Sequence, residues 1–380
     1  MDALSRATSA QEAMAQAPTV VVKVGSALLV DDDGSIRREW MSALVDDLAG
    51  LVKAGRRVVL VSSGAIRVGL RLQNRDPLNL RLDEKQAAAA LGQIRLAEAY
   101  ADSFAERDLN VGQILLTQED TENRRRYLNA RATLNRLLDW GTVPLVNEND
   151  TVATAEIRFG DNDRLAARVG GMVGADLLVL LSDIDGLYTS NPKASAAAKH
   201  FPLVTSGITP EIEAMAGDET SAYAKGGMVT KLAAAKIALG AGCAMVIADG
   251  RVLNPLQTLV DGARATLFTS TETRHSAREA WLLGALSGDG ALILDDGAAR
   301  AVQAGKSLLP AGVVRVEGAF ERGDTVSITR ADGTDIGRGI AAYGSEDAAL
   351  IAGKRSADIA TILDESRGPN LIHTDDLALF

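Results

Sequence analysis

The sequence has very little cysteine and histidine, with one cysteine and three histidines in 380 residues. The single cysteine, Cys243, cannot form an internal disulfide, and so few thiol and imidazole groups exclude a zinc cluster. Long apolar runs are also absent, so the sequence predicts no membrane-spanning helix. Residues 1–18 lack the apolar stretch of a signal peptide, and we expect them to form a loose leader on a soluble, cytoplasmic protein.

Positive charge is in deficit, because 40 Lys and Arg face 50 Asp and Glu and give a net charge of −10. This balance argues against general affinity for nucleic acid or an anionic membrane.

Common nucleotide and hydrolase motifs are missing as well. No predicted strand is followed by G-x-G-x-x-G, no G-x-S-x-G occurs, and Gly305-Lys306-Ser307 has Arg300 where a phosphate-binding loop needs its first glycine. A dehydrogenase and a serine hydrolase are therefore both disfavoured.

Short apolar runs alternate with segments of helical spacing from Thr19 to about Leu267. Most of the runs are continuous, which is typical of parallel strands buried on both faces. They lie at 20–22, 58–61, 112–116, 143–146, 177–181 and 245–247. This alternation predicts an α/β domain of three layers with a mainly parallel sheet over residues 19–270.

After about residue 270 the apolar runs become shorter and are separated by glycine and aspartate. They lie at 291–294, 312–316 and 325–328. This spacing predicts a small, mostly β domain over residues 288–366. We expect residues 271–287 to be a linker and residues 367–380 to be a tail.

Polar residues follow the predicted strands at the carboxyl ends, where sheets of this class bind ligands. Lys23 closes the first strand, and Ser62-Ser63-Gly64 follow the second, where the amides of a helix start can hold an anion. The alternatives are a surface lysine at a strand end and an ordinary capping serine. After the fourth strand come NENDT at 147–151 and GDND at 160–163. Such carboxylates and amides bind ammonium groups, magnesium or lysines, and helix capping by Asp161 explains only one of them.

The predicted fifth strand ends in Ser182 and Asp183, and a later helix opens with Gly226-Gly227 and carries Lys231 in its first turn. Glycines at a helix start allow the backbone to approach a phosphate closely.

Five segments of the sequence, in this order, resemble the amino acid kinase family: VVKVGS, VSSGAI, NENDTVATAEIRFGDND, LLSDIDGLYTSNP and GGMVTK. The segment SLLPAGVVRVEGAFERGDTVSI resembles a PUA domain. The resemblance implies a three-layer amino acid kinase fold followed by a mostly β PUA domain.

The resemblance also implies a reaction, the transfer of a phosphoryl group from ATP to the 5-carboxylate of L-glutamate in the first step of proline biosynthesis. Family motifs carried onto this sequence imply three catalytic residues, Lys23, Lys231 and Asp163. The implied glutamate-binding residues are Ser63, Asp150, Asn162 and Asp161. The implied ATP-binding residues are Lys23, Ser182, Asp183, Lys225, Gly226, Gly227, Met228, Val229, Thr230 and Lys231. Mg²⁺ is expected with ATP, with no residue assigned as a metal ligand, and the family implies a homo-oligomer inhibited by proline.

The implied chemistry agrees with the shortage of histidine, because a carboxylate nucleophile is already ionised at pH 7 and needs no general base.

Two alternative functions remain. A kinase for another amino-acid carboxylate would use the same residue types. An RNA-binding or RNA-modifying protein would act through the PUA-like segment, but residues 288–366 contain eight Lys and Arg against thirteen Asp and Glu. Their net charge of −5, with only Phe320 and Tyr343 available for stacking, disfavours an RNA surface.

Overall fold

The computed structural model describes residues 7–76, 80–153, 162–216, 227–269, 290–363 and 368–380. The chain divides into two compact units, Met1–Arg274 and His275–Phe380. The predicted linker at 271–287 lies outside the described residues. No helix in the described ranges is both long and apolar enough to cross a membrane.

The first unit alternates strands and helices along the chain. Its described strands are β1 (Thr19–Val24), β2 (Arg57–Val61), β3 (Val111–Leu116), β4 (Val143–Glu148), β5 (Leu177–Ser182), β6 (Leu187–Tyr188), β7 (His200–Phe201), β8 (Leu203–Val204), β9 (Ala244–Asp249) and β10 (Ala265–Phe268). Its described helices are α1 (Ala10–Gln16), α2 (Ser26–Leu29), α3 (Arg38–Lys53), α4 (Ala65–Leu72), α5 (Leu82–Ala105), α6 (Gln118–Glu122), α7 (Arg124–Asp139), α8 (Asn162–Val173), α9 (Pro210–Ala214), α10 (Met228–Gly240) and α11 (Pro255–Val260).

Eight of these strands form one sheet in the order β3-β4-β2-β1-β5-β9-β10-β8. The strands pair in parallel, except for the antiparallel pair β9–β10. Each of the six predicted apolar runs forms a strand of this sheet, so the predicted α/β class and parallel topology are confirmed. Because β1 lies near the middle, its carboxyl end is flanked by the ends of β2 and β5.

Two hydrophobic layers cover the sheet, one on each face. Along β1, Val20, Val22 and Val24 join the layer that contains α1, α3, α5 and α11, whereas Val21 joins the layer of α7, α8 and α10. Side chains alternate between faces along a strand, so Lys23 lies on the same face as Val21. This alternation directs Lys23 towards α8 and α10.

The prediction of a loose leader over residues 1–18 is wrong for the described part of that segment. Residues Ala10–Gln16 form α1, and the Oγ of Ser9 caps it by accepting from the Glu12 amide at 3.1 Å. Ala13 and Met14 are fully buried in the first hydrophobic layer. The buried residues Ala10, Ala13, Met14 and Ala17 follow helical spacing, but all except Met14 are alanine, so their apolar signal in the sequence is weak.

The second unit is built around a five-stranded sheet, which confirms a mostly β domain. Its strands are β11 (Ala291–Leu294), β12 (Val313–Glu317), β13 (Thr325–Arg330), β14 (Asp335–Ile340) and β15 (Leu377–Leu379), in the order β12-β11-β13-β14-β15. Its described α-helices are α12 (Asp296–Gln303), α13 (Ser345–Ile351) and α14 (Ile359–Ile362).

The prediction of a tail at 367–380 is also wrong. Strand β15 pairs antiparallel with β14, and Ile372 is fully buried in the core of the second unit. This segment follows Pro369 and is only three strand residues long, which hid its pairing from the sequence pattern.

Candidate active site

Three charged side chains meet at the carboxyl edge of the large sheet. The Nζ of Lys23 lies 2.5 Å from Oδ1 of Asp163, and the Nζ of Lys231 lies 3.1 Å from Oδ2. The carboxylate of Asp163 is fully buried, and both lysine side chains are less than a tenth exposed. The structure thus brings together the three residues that the sequence resemblance implies to be catalytic.

The meeting of these residues follows from the topology. Lys23 points to the face of the sheet that α8 and α10 cover, and those helices present their first turns at the carboxyl edge. Asp163 lies in the first turn of α8, where a negative charge is favoured by the helix dipole. Lys231 lies in the first turn of α10, where the dipole disfavours a positive charge, and Asp163 offsets that cost.

The three buried groups together carry one formal positive charge. Buried ions persist only when they are paired, because each loses its hydration. Asp163 pairs with both lysines and holds them at one point of the edge. Two ammonium groups held in this way can attract and orient an anionic group such as a phosphate.

A network of amides and hydroxyls lies on the β2 and β4 side of the cluster. The Nδ2 of Asn162, which carries two hydrogens, lies within hydrogen-bonding distance of three acceptors: the Ser62 carbonyl at 2.6 Å, Oγ of Ser63 at 2.9 Å and Oδ1 of Asn147 at 2.7 Å. Gly64 has φ +105°, and a Cβ there would lie 2.8 Å from Val30 Cγ2, so the turn after β2 requires glycine. The hydrogen bond from Asn162 to Ser63 thus brings two of the implied glutamate-binding residues into direct contact.

Asp150 belongs to the turn that leaves β4 and is half-buried. The amide of Asn149 donates to the Leu116 carbonyl at 2.9 Å, which ties this turn to the end of β3. The implied residue Asp161 lies outside the described residues. The turn after β4 and the start of α8 thus approach the edge from the same side of β1.

The implied nucleotide residues lie on the other side of β1. Ser182 is buried at the end of β5, and Asp183 is exposed with an oxygen 3.9 Å from Nζ of Lys193. At the end of β9, hydrogen bonds from Arg251 hold the pKa of Asp249 below its usual range. The ends of β5 and β9 therefore carry several polar groups beside the lysine cluster.

The start of α10 contains the implied ATP-binding residues from Gly227 to Lys231. The hydroxyl of Thr230 lies 3.2 Å from Oδ2 of Asp163 and 3.0 Å from the carbonyl of Gly227. Met228 packs in the core and is 1% exposed, so its side chain is not available to a ligand. Val229 is partly buried against the same core. Lys225 and Gly226 lie outside the described residues.

The order of the strands divides the edge into two parts. The loops after β2 and β4 lie on one side of β1, and the ends of β5 and β9 lie on the other. Lys23 comes from the strand between them, and Lys231 meets it there through Asp163. Two substrates bound on the two sides would face each other at the lysines.

The sequence analysis included Asn147 in the NENDT motif without an individual role and did not indicate Gln93, yet both residues form part of this network. The Nδ2 of Asn147 donates to Oε1 of Gln93 at 2.6 Å, and Asn147 is buried. One signal could have indicated Gln93: along α5, Gln86, Gln93 and Tyr100 recur at seven-residue spacing. Polar residues at that spacing share one helix face.

Comparison with known proteins agrees with the fold. The family model of the amino acid kinase family matches residues 18–249. The chain belongs to the amino acid kinase family. A second model, the PUA domain, matches residues 290–363. The family predicted from the motifs is therefore confirmed, and so is the PUA resemblance.

Several curated relatives of this amino acid kinase cover nearly its whole length. The glutamate 5-kinase of Paramagnetospirillum magneticum is 54% identical over 96% of this chain and 99% of its own. That of Jannaschia sp. is 55% identical over 96% of this chain and 98% of its own. That of Rhodospirillum rubrum is 54% identical over 94% of this chain and 96% of its own. This amino acid kinase thus shares both of its units with these relatives.

Proposed function

We propose that this protein transfers the γ-phosphoryl group of ATP to the 5-carboxylate of L-glutamate, giving L-glutamyl 5-phosphate and ADP. This is the first step of proline biosynthesis. The observation that carries the proposal is the buried Lys23–Asp163–Lys231 cluster, which lies between two groups of polar loops at the carboxyl edge of the sheet. The near full-length similarity to glutamate 5-kinases supports the choice of substrate.

The reaction needs positioning and charge stabilisation more than proton transfer. An oxygen of the ionised glutamate side chain attacks the γ-phosphorus and forms the new P–O bond. The bond from that phosphorus to the β,γ-bridging oxygen breaks, and ADP leaves with the electron pair, so no proton moves. Lys23 and Lys231 stabilise the charge on the transferred group, and Asp163 holds both lysines in place.

Each substrate has its own side of the site in this proposal. Ser63, Asn162 and Asp150 bind glutamate from the loops after β2 and β4 and from the start of α8, and the Asp150 carboxylate pairs with the substrate ammonium group. Ser182, Asp183 and the start of α10 bind ATP from the other side. Gly227 and the backbone amides at the start of α10 allow the phosphates to approach closely.

Magnesium enters this proposal as part of the MgATP substrate. Both oxygens of Asp163 face lysines, and the described residues hold no group of three or more His, Cys, Asp or Glu placed to build a metal cage. These residues fit an ion held mainly by phosphate oxygens and water, as is usual for Mg²⁺ in kinases. When bound, the ion neutralises charge on the β- and γ-phosphates.

We further propose a cytoplasmic homo-oligomer whose glutamate site also accepts proline as an inhibitor. Proline carries the same α-carboxylate and a cationic nitrogen, so it can use the groups that recognise the backbone end of glutamate. Support for self-association comes from Leu91 and Ile94, which lie one turn apart on α5 with 39% and 68% of their surfaces exposed.

ADP release in a panel of amino acids tests the proposal. We expect release with ATP, Mg²⁺ and L-glutamate, little with L-aspartate or N-acetyl-L-glutamate, and a decrease when proline is added. Equal release with L-glutamate and L-aspartate, or none with L-glutamate, would contradict the assigned substrate.

A further inference from the structure

Three polar side chains of α5 support the loops on the proposed glutamate side. The Nε2 of Gln86 donates to the Ala153 carbonyl at 3.0 Å, beyond β4. Gln93 accepts from Nδ2 of Asn147 at 2.6 Å, at the end of β4. Tyr100 accepts from Oγ of Ser62 at 3.3 Å, and burial raises the pKa of its phenol, which stays neutral. One face of α5 thus contacts both loops.

Two backbone groups identify which end of each amide between α5 and α8 is the nitrogen and which is the oxygen. The carbonyl of Ser62 can only accept, so the Asn162 atom 2.6 Å away is the donor Nδ2. The amide N–H of Glu148 can only donate, so the Asn147 atom 2.9 Å away is the acceptor Oδ1. The other end of the Asn147 amide, Nδ2, then faces Gln93, which must present Oε1.

Gln93 stabilises this orientation of Asn147, because it supplies the acceptor that the buried Nδ2 of Asn147 needs. Asn147 is 3% exposed, and a buried donor without an acceptor costs roughly 1–3 kcal/mol. If the Asn147 amide were flipped, its Nδ2 would face two other hydrogen-bond donors, the Glu148 N–H and Nδ2 of Asn162. With Gln93 in place, Oδ1 of Asn147 stays directed at Asn162.

The same network determines what Asn162 can offer a ligand. Its Nδ2 is engaged by Ser62, Ser63 and Asn147. In the part of the chain that the structure describes, Oδ1 of Asn162 meets no hydrogen-bond donor. Asn162 therefore presents an acceptor, which suits an ammonium group and not a carboxylate.

We propose that Gln93 is a positioning residue for the amino-acid substrate. Acting through Asn147, it holds the Asn162 amide so that Oδ1 faces the substrate ammonium group. This inference rests on the proposed function, since it takes glutamate as the ligand beside Asn162. Asp163 is held separately by Lys23 and Lys231, so Gln93 affects substrate binding and leaves phosphoryl transfer unchanged.

Steady-state kinetics of Gln93→Met in the full-length protein tests the inference, because methionine has a similar length but lacks a carbonyl acceptor. We expect the KM for L-glutamate to rise about tenfold, with kcat and the KM for ATP within twofold of wild type. The double variant with Asn147→Ala should have the same glutamate KM as Asn147→Ala alone, because Gln93 acts through Asn147. Glu98→Gln, on the exposed side of α5, is the matched control and should match wild type.

Several outcomes would overturn the inference. They are an unchanged glutamate KM in Gln93→Met, an equal rise in both KM values, and an effect that multiplies with that of Asn147→Ala. If Gln93→Met does not fold, Gln93→Asn replaces it, since it withdraws the acceptor by one methylene and should raise the glutamate KM in the same direction. Wild type is measured first. A wild type without glutamate-dependent ADP release would overturn the proposed function itself, whereas the other outcomes concern Gln93 alone.

Discussion

At the scale of single residues, Asp163 holds the centre of the site together. It is fully buried between two lysines that come from different elements, and each lysine keeps its position through the same carboxylate. Removing one member of a buried ion pair typically costs about 3–5 kcal/mol, because the remaining charge stays uncompensated. The stability and the chemistry of this edge therefore depend on the same three side chains.

Replacing either lysine should impair turnover far more than glutamate binding. We expect Lys23→Ala and Lys231→Ala each to lower kcat by about 10²–10³, the usual effect of losing a group that stabilises transition-state charge. Glutamate KM should change much less, because the glutamate-side network does not include either lysine. The measurement is kcat under saturating ATP and glutamate. A variant with wild-type kcat would lose its assigned role.

Asp163→Asn should destabilise the first unit more than either lysine variant does. The substitution removes the carboxylate that two buried ammonium groups share, whereas Lys231→Ala leaves Asp163 paired with Lys23. We expect a loss of about 3–5 kcal/mol in the free energy of unfolding. Denaturant titrations of the three variants provide the comparison. An Asp163→Asn protein as stable as wild type would show that the pairing is not structural.

Asp150→Asn should raise the KM for glutamate much more than the KM for ATP. The substitution removes the charge proposed to pair with the substrate ammonium group but keeps the size of the side chain. Asn162, which reaches the same pocket from α8, would leave some residual binding. Initial rates with each substrate varied in turn measure both constants. An unchanged glutamate KM would contradict the assigned role.

At the scale of elements, the contact between α4 and α5 depends on two glycines. A Cβ at Gly92 would lie 1.8 Å from the Ala65 carbonyl oxygen, and one at Gly69 would lie 1.8 Å from the Ala88 carbonyl oxygen. Neither backbone can yield without separating the helices. This close crossing places the next residue, Gln93, against the end of β4.

Gly92→Ala should therefore destabilise the protein by about 3 kcal/mol or more, since the added methyl group forces α5 away from α4. Gly50→Ala in α3 is the matched control, because it is also a helical glycine and a Cβ there meets nothing within 4 Å. We expect that control to gain about 0.5–1 kcal/mol from helix propensity. Thermal unfolding of both variants checks the contrast. Equal midpoints would refute the tight crossing.

Six strands of the first unit were predictable because most of them are continuous apolar runs, such as Leu177–Ser182. The four other described strands, β6, β7, β8 and β10, have only two to four residues each and were not predicted. Helix α1 and strand β15 were not predicted, since each is short and is stabilised by packing or pairing with distant residues. At the site, motifs indicated Lys23, Asp163 and Lys231. The link from Gln93 to Asn162 could not be deduced, because it depends on the three-dimensional crossing of α4 and α5.

At the scale of the whole molecule, each unit has its own hydrophobic core. Every proposed site residue lies at or before Lys231, in the first unit. A variant shortened to residues 1–287 should therefore keep kinase activity, while its oligomeric state or its response to proline is free to change. The measurement is kcat/KM beside the full chain, after circular dichroism shows that the variant is folded. A loss beyond about 100-fold, roughly 2.7 kcal/mol, would mean that the second unit helps to build the site.

Trapping the product with hydroxylamine shows whether the glutamate side chain accepts the phosphoryl group. Hydroxylamine converts an acyl phosphate into a stable hydroxamate. With full-length protein, ATP, Mg²⁺ and L-glutamate, we predict one hydroxamate for each ADP released, attached at the 5-carboxyl carbon. ADP release without a hydroxamate, or a hydroxamate at the α-carboxyl carbon, would show that the 5-carboxylate is not the acceptor.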